Sequence, residues 1–150
     1  MNIPSALKIY HITHVNNLVS MMKSGYIYSD AQMLQNCFGF SSIGMSNIKK
    51  RRLEDIEVSP PHPGTKVGEY VPFYWSPRSV MLYIISCQNN LDLAYKGGQI
   101  PIVHLQADFN TALSYASKHQ IKWAFSPTNA GKSGKSSNIP AQNPAITHFV

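Results

Sequence analysis

Five extended apolar or aromatic runs, interleaved with four short stretches of helical periodicity and separated by Gly, Pro, Asn and Ser, predict an α+β domain. At 150 residues the chain suits a single core. Sixteen aromatics (2 Trp, 8 Tyr, 6 Phe) give it ample surface to bury.

The first strand is Lys8-Ile9-Tyr10-His11-Ile12, β-branched and aromatic, with Thr13-His14 leading toward a helix start at Asn16. Leu18, Met21 and Met22 then share one helical face, and Gly25 is suited to a left-handed C-cap. Tyr26-Ile27-Tyr28 reads as extended. From Asp30 to Gly44 no period is visible, so this stretch is expected to be a long loop of the kind that carries function. Ser46 is placed to cap a helix through Leu53, and Ser59-Pro60-Pro61-His62-Pro63-Gly64 forms a turn. Tyr70 to Trp75 is extended, with Pro72 marking an edge. Ser76-Pro77 resembles an N-cap with proline in the first helical position, opening Arg78–Cys87 with Met81, Leu82 and Ile85 inward. Gly97-Gly98 precedes the strand Gln99–Leu105, in which Ile102, Val103 and Leu105 are expected to be buried. Asp108 and Asn110 offer caps for a helix through Tyr115, and Lys122-Trp123-Ala124-Phe125 reads as a last strand. Beyond Ser126 the composition turns to Ser, Asn, Gly, Lys and Pro, as in a flexible tail.

Thirteen Lys+Arg against seven Asp+Glu give a net charge of +6. With only 13% charged residues, few acids are present to neutralise that excess, which points to an anionic partner (nucleic acid, nucleotide or membrane surface) or, equally, to a mildly basic surface that only keeps the domain soluble. None of the acids follows Asp108. No apolar run approaches the roughly 20 residues of a membrane span, and Met1–Lys8 lacks a signal peptide's apolar region, so a cytoplasmic location without membrane contact is expected. Cys37 and Cys87 make neither a disulfide framework nor a metal-ligand spacing and are read as reduced thiols.

Three local patterns invite a chemical reading. Gly131-Lys132-Ser133-Gly134-Lys135-Ser136 looks like a phosphate loop, but a P-loop needs glycine five positions earlier, where Ser126 and Asn129 stand. His11 and His14, three apart, lack a third ligand at a recognisable spacing, so no metal is expected; His11 is either a core histidine satisfied by backbone or a donor to a ligand oxygen in a cleft. Lys49-Lys50-Arg51-Arg52 spans about 300° of a helix, so one or two of the four must face inward or along a neighbouring element while the others face water. The plain alternative is a solvated face neutralised by Glu54, Asp55 and Glu57.

Taken in order, the motifs say more than they do singly. Ile9-Tyr10-His11-Ile12-Thr13-His14, Asn17-Leu18, Gly25, Ile48-Lys49-Lys50-Arg51-Arg52, Tyr70-Val71-Pro72-Phe73-Tyr74-Trp75-Ser76-Pro77-Arg78-Ser79 with Met81-Leu82-Tyr83, Gly97-Gly98-Gln99, and Ile102-Val103-His104-Leu105 resemble the DarT family of bacterial DNA ADP-ribosyltransferase toxins. The resemblance continues through Trp123-Ala124-Phe125-Ser126 and Asn129-Ala130-Gly131.

The resemblance implies an ADP-ribosyltransferase-like split β-sheet core with short helices. It also implies an enzyme that uses NAD, without metal, to attach ADP-ribose to a base of single-stranded DNA, commonly thymine. A macrodomain antitoxin is the implied partner. By position, His11, Ile12 and Thr13 look like the strand that holds the nicotinamide ribose and amide, and Ser20 and Tyr28 look like further NAD contacts. The segment from about Leu34 to Leu53 resembles the NAD-covering element, in which Arg52 matches the catalytic arginine that contacts NAD and is proposed to assist deprotonation of the target base. Tyr74 and Arg78 lie in the aromatic block near the cleft, and the loop after Leu105 corresponds to the substrate-recognition loop. An arginine at its usual pKa is a poor general base, so Arg52 is read as a source of transition-state electrostatics or of a coupled proton transfer.

The family also places a glutamate on a late strand, and this chain has no acid after Asp108. Residues 1–131 are therefore read as the NAD-binding part of the domain and 132–150 as a divergent tail. The polypeptide is expected to be truncated or frameshifted, incomplete at its C-terminus and inactive or impaired. The alternatives are a dead NAD- or DNA-binding remnant and a decoy for the antitoxin.

Overall fold

The computed structural model describes residues 6–36, 39–59 and 61–126. Cys37, the Asn129-Ala130-Gly131 motif, the false phosphate loop and the tail lie outside them.

β1 (Lys8–His14) pairs antiparallel with β2 (Ile102–Asp108) in a register that sets Lys8 opposite Asp108 and His14 opposite Ile102. The other edge of β1 is taken by the aromatic run: Tyr10 N–H donates to the Tyr74 carbonyl at 2.8 Å, and Tyr74 N–H returns a bond of 2.7 Å. Pro72 sits outside that bridge, where its missing N–H costs nothing. Successive side chains of a strand point to opposite faces, and both faces of β1 are covered. Ile12 packs with Ile43, Met45, Ile85, Leu93 and Ile102 on one side. Ile9 packs with Phe109 and Ala116 on the other. A third cluster joins Val58, Val67, Tyr70 and Ala124.

A 3-10 turn (Val15–Asn17) leads into α1 (Leu18–Ser24), which Gly25 ends in the left-handed conformation, φ 74°, with its N–H on the Met21 carbonyl. α2 (Asp30–Gln35), α3 (Ser46–Glu54), a second 3-10 turn (Val67–Glu69), α4 (Val80–Cys87) and α5 (Phe109–Lys118) complete the helices among the described residues. α5 is capped as its sequence indicates, Asp108 Oδ1 accepting from Thr111 N–H at 3.0 Å.

Several local expectations are corrected. The loop expected from Asp30 to Gly44 begins with a helix, α2 (Asp30–Gln35), built on a capping box: Ser29 Oγ accepts from Gln32 N–H, and Gln32 Oε1 accepts from Ser29 N–H. In α3 Ser46 is the first helical residue and Met45, buried in the core, takes the N-cap without a side-chain bond. In α4 the cap is Ser79, which accepts from Leu82 N–H at 3.1 Å, and not Ser76, which instead accepts from Arg78 N–H in the preceding turn. In β2 only Ile102 is buried; Val103 and Leu105 are half-buried on the opposite face. Residues 122–125 form no strand: the Trp123 carbonyl is taken by the His62 ring at 2.9 Å, a side chain in the place a neighbouring strand would need.

Candidate active site

The covered strand, α1, α2, α3 and the start of α4 surround a cleft of about 310 Å³. That size falls in the range of small-molecule sites. His11, Ile12, Thr13, Ser20, Tyr28, Arg52 and Tyr74, drawn from five separate segments, all line it. Arg78 does not: it is exposed in the turn before α4.

Several of the polar groups along the wall are held by named neighbours. Asn17, 8% exposed, donates from Nδ2 to Thr13 Oγ1 and to the Ser41 carbonyl, both at 3.0 Å. Its Oδ1 accepts from Ser41 N–H at 2.8 Å, so one side chain ties the segment at 39–44 to β1. Ser20 Oγ donates to the Asn17 carbonyl. His11 Nδ1 donates to the Pro72 carbonyl at 2.8 Å, which fixes the tautomer and leaves a lone pair on Nε2 of the neutral ring. Burial pushes the His11 pKa down, against the raising effects of the Pro72 carbonyl and Asp30. His14 is occupied elsewhere, its Nδ1 accepting from Asn16 N–H. Among the described residues no cluster of three His, Cys, Asp or Glu is placed to hold a metal ion.

Arg52 is the inward member of the basic run, 8% exposed. Its Nη1 lies 3.6 Å from Asp30 Oδ2, and Asp30 Oδ1 takes a 2.8 Å bond from Lys49 Nζ. Desolvation pushes the Arg52 pKa down while Asp30 opposes the shift. Burial raises the Tyr74 pKa, and nearby Arg52 offsets part of that. Arg52 Nε and Nη2 are buried without any hydrogen-bond partner. These two N–H groups form one edge of the guanidinium fork, whose geometry matches two oxygens of a phosphate or carboxylate. Leaving each unmade costs about 1–3 kcal/mol, and the shape of the edge suits two oxygens of an anion.

Sequence reasoning named neither Asp30, Lys49 nor Asn17 as a site residue. The signal for Asp30 was readable in Ser29-x-x-Gln32, a capping-box spacing inside the supposed loop.

The family described as "ssDNA thymidine ADP-ribosyltransferase, DarT" matches residues 10–149. A DNA ADP-ribosyl transferase of Thermus sp. (strain 2.9) is 38% identical over 102 residues, 68% of this chain and 45% of that protein. Another, from Mycobacterium tuberculosis, is 28% identical over 126 residues, 83% of this chain and 50% of that protein. Among solved structures, Thermus sp. 2.9 DarT in complex with NAD+ superposes with a TM-score of 0.63 at 30% identity, over 88% of this chain and 57% of that one. The same protein in complex with ADP-ribosylated ssDNA gives 0.63 at 34% identity, over 78% and 52%. The chain thus spans about half the length of the relatives it matches. The order of motifs, the shared fold and a match running from Tyr10 to Phe149 lead to one assignment: the chain belongs to the DarT family.

Proposed function

We propose that this chain supplies the NAD-binding half of an ADP-ribosyltransferase acting on single-stranded DNA. The observation that carries the reading is the buried, unpartnered Nε–Nη2 edge of Arg52 in a cleft whose ionised side chains are Lys49, Arg52 and Asp30. With His11 held neutral, those groups sum to one positive charge, which suits a pyrophosphate.

In this reading Arg52 grips the pyrophosphate side of NAD, and His11, Ile12 and Thr13 form the wall against the nicotinamide ribose. Ser20 and Tyr28 complete the dinucleotide contacts. Breaking the nicotinamide–ribose bond builds positive charge on the sugar, and a positively charged site does not stabilise that charge by itself. The carboxylate for that task is absent after Asp108. These 150 residues alone accordingly bind NAD without turning it over. Tyr74 and Arg78 lie toward the DNA side, where thymine is the target base, and the basic surplus meets the phosphodiester backbone. In the cell the activity is that of a toxin held in check by a macrodomain antitoxin.

Calorimetry with NAD, followed by mass analysis of thymine-containing single strands incubated with the chain and NAD, tests the reading. Binding without a mass gain on DNA is expected. Failure to bind NAD overturns it, and ADP-ribosylated DNA would sink the claim that these residues lack turnover.

A further inference from the structure

Asp30 is the one carboxylate among the residues that line the cleft. It is the first residue of α2, and the capping box on fully buried Ser29 fixes where it stands. Its two oxygens are divided between cations three residues apart on one face of α3: Oδ1 takes Lys49 Nζ at 2.8 Å, and Oδ2 faces Arg52 Nη1 at 3.6 Å. The stem of Lys49 reaches Asp30 across bare backbone, since a Cβ on Gly44 would stand 2.7 Å from Lys49 Cε.

The division has a directional result. The guanidinium has two edges that can meet an anion in parallel, and Asp30 engages the end of one of them through Nη1. The edge formed by Nε and Nη2 is left whole and unpartnered. No other acid is paired with Arg52 among the described residues. Lys49, hydrogen-bonded to the other oxygen, keeps the carboxylate from swinging round to take both edges.

We propose that Asp30 is a positioning residue for Arg52, turning its guanidinium so that the Nε–Nη2 edge meets the diphosphate of a dinucleotide. The proposal rests on the NAD reading above for the ligand, and on the geometry alone for the orientation of Arg52. A carboxylate that merely balanced charge would be dispensable once one cation were removed with it.

The test compares the wild-type chain with Asp30→Asn and with the charge-balanced double variant Asp30→Asn/Lys49→Met, which keeps the net charge of the site. The first readout needs no ligand: the Arg52 Nε–H resonance and its heteronuclear NOE. It is expected to be as rigid as backbone in the wild type and to become mobile in both variants. The second readout is the NAD affinity, expected to fall roughly tenfold or more in the double variant. In an Arg52→Gln background the further loss from removing Asp30 is expected to vanish, because both residues then act through one contact. An Arg52 side chain that stays rigid in the folded double variant overturns the proposal, as does full NAD affinity there. A wild-type chain that does not bind NAD sinks the functional reading, and the resonance still decides the role of Asp30.

Discussion

Asn17 grips Ser41 at both of its backbone polar groups, donating to the carbonyl at 3.0 Å and accepting from the N–H at 2.8 Å. The amide behaves like a piece of neighbouring strand for a segment that has none. Asn17→Ala leaves both Ser41 groups and the Thr13 hydroxyl without this partner, so a loss of about 2–3 kcal/mol is expected in denaturant melts. Asn17→Asp preserves only the acceptor half. Faster amide exchange at Ser41 in Asn17→Ala, with slow exchange kept in Asn17→Asp because its side-chain oxygen still accepts from that N–H, checks by NMR that the latch and not the fold as a whole has gone; unchanged exchange in Asn17→Ala would refute it.

Arg52 separates binding from stability. Arg52→Met removes two buried N–H groups that lack partners, while Asp30 keeps its bond to Lys49. The melting temperature without ligand is expected to hold or rise. NAD at about a hundred times its Kd stabilises a binding-competent chain by about 2.7 kcal/mol, and this increment is expected to disappear in the variant. Calorimetric scans with and without NAD decide the point, a preserved increment counting against the role of Arg52.

Two glycines are expected to differ in how much they resist substitution. A Cβ on Gly68 would lie 2.6 Å from Leu53 Cδ2 and 3.0 Å from Leu53 Cα, so Gly68→Ala must move α3 or the 3-10 turn. That overpacking is expected to cost about 1–3 kcal/mol. Gly25→Ala meets no atom within 4 Å but keeps φ near +74°, which costs about 1 kcal/mol. Chemical denaturation of the two variants ranks them, and an equal or reversed order would contradict the close packing of Gly68.

His11 makes stability depend on pH. Burial lowers its pKa below the ordinary 6.5, so between that lowered value and 6.5 the unfolded chain binds more protons than the folded one. The contribution is fully present above 6.5 and is lost as pH falls from 6.5 toward the lowered value. Asp30 raises the value, and Lys49 and Arg52 lower it. His11→Gln retains a donor for the Pro72 carbonyl and removes the titration. Melts at about pH 7.5 and about pH 5.5 are expected to separate further in the wild type than in the variant. Equal separation would show that His11 is not the titrating group.

What the sequence revealed follows how strongly each element is patterned. β1 was legible because Ile9 and Ile12 carry the chemistry of two buried faces, and α5 because Asp108 stands where a cap must. α2 escaped notice because none of its six residues is buried, which leaves no apolar stripe to read; only its capping box marked it. Met45 hid the start of α3, since a core residue took the N-cap in place of the serine beside it. Trp123-Ala124-Phe125 has a strand's composition, but pairing needs a free backbone edge, which spacing along the chain does not report. The same limit applies to the cleft. The basic run showed that a cation must face inward or along a neighbouring element, whereas the carboxylate meeting it lies 22 positions away, in a stretch without period.

β1 has neighbours on both of its edges, β2 along its length and Tyr74 at Tyr10. A slip of one residue would exchange Ile9 and Ile12 between unrelated cores and break the bonds on both sides at once. The wall that carries His11 and Thr13 is therefore ordered before any ligand arrives. A dinucleotide laid against it need not freeze that backbone, so more of its contact energy survives as affinity.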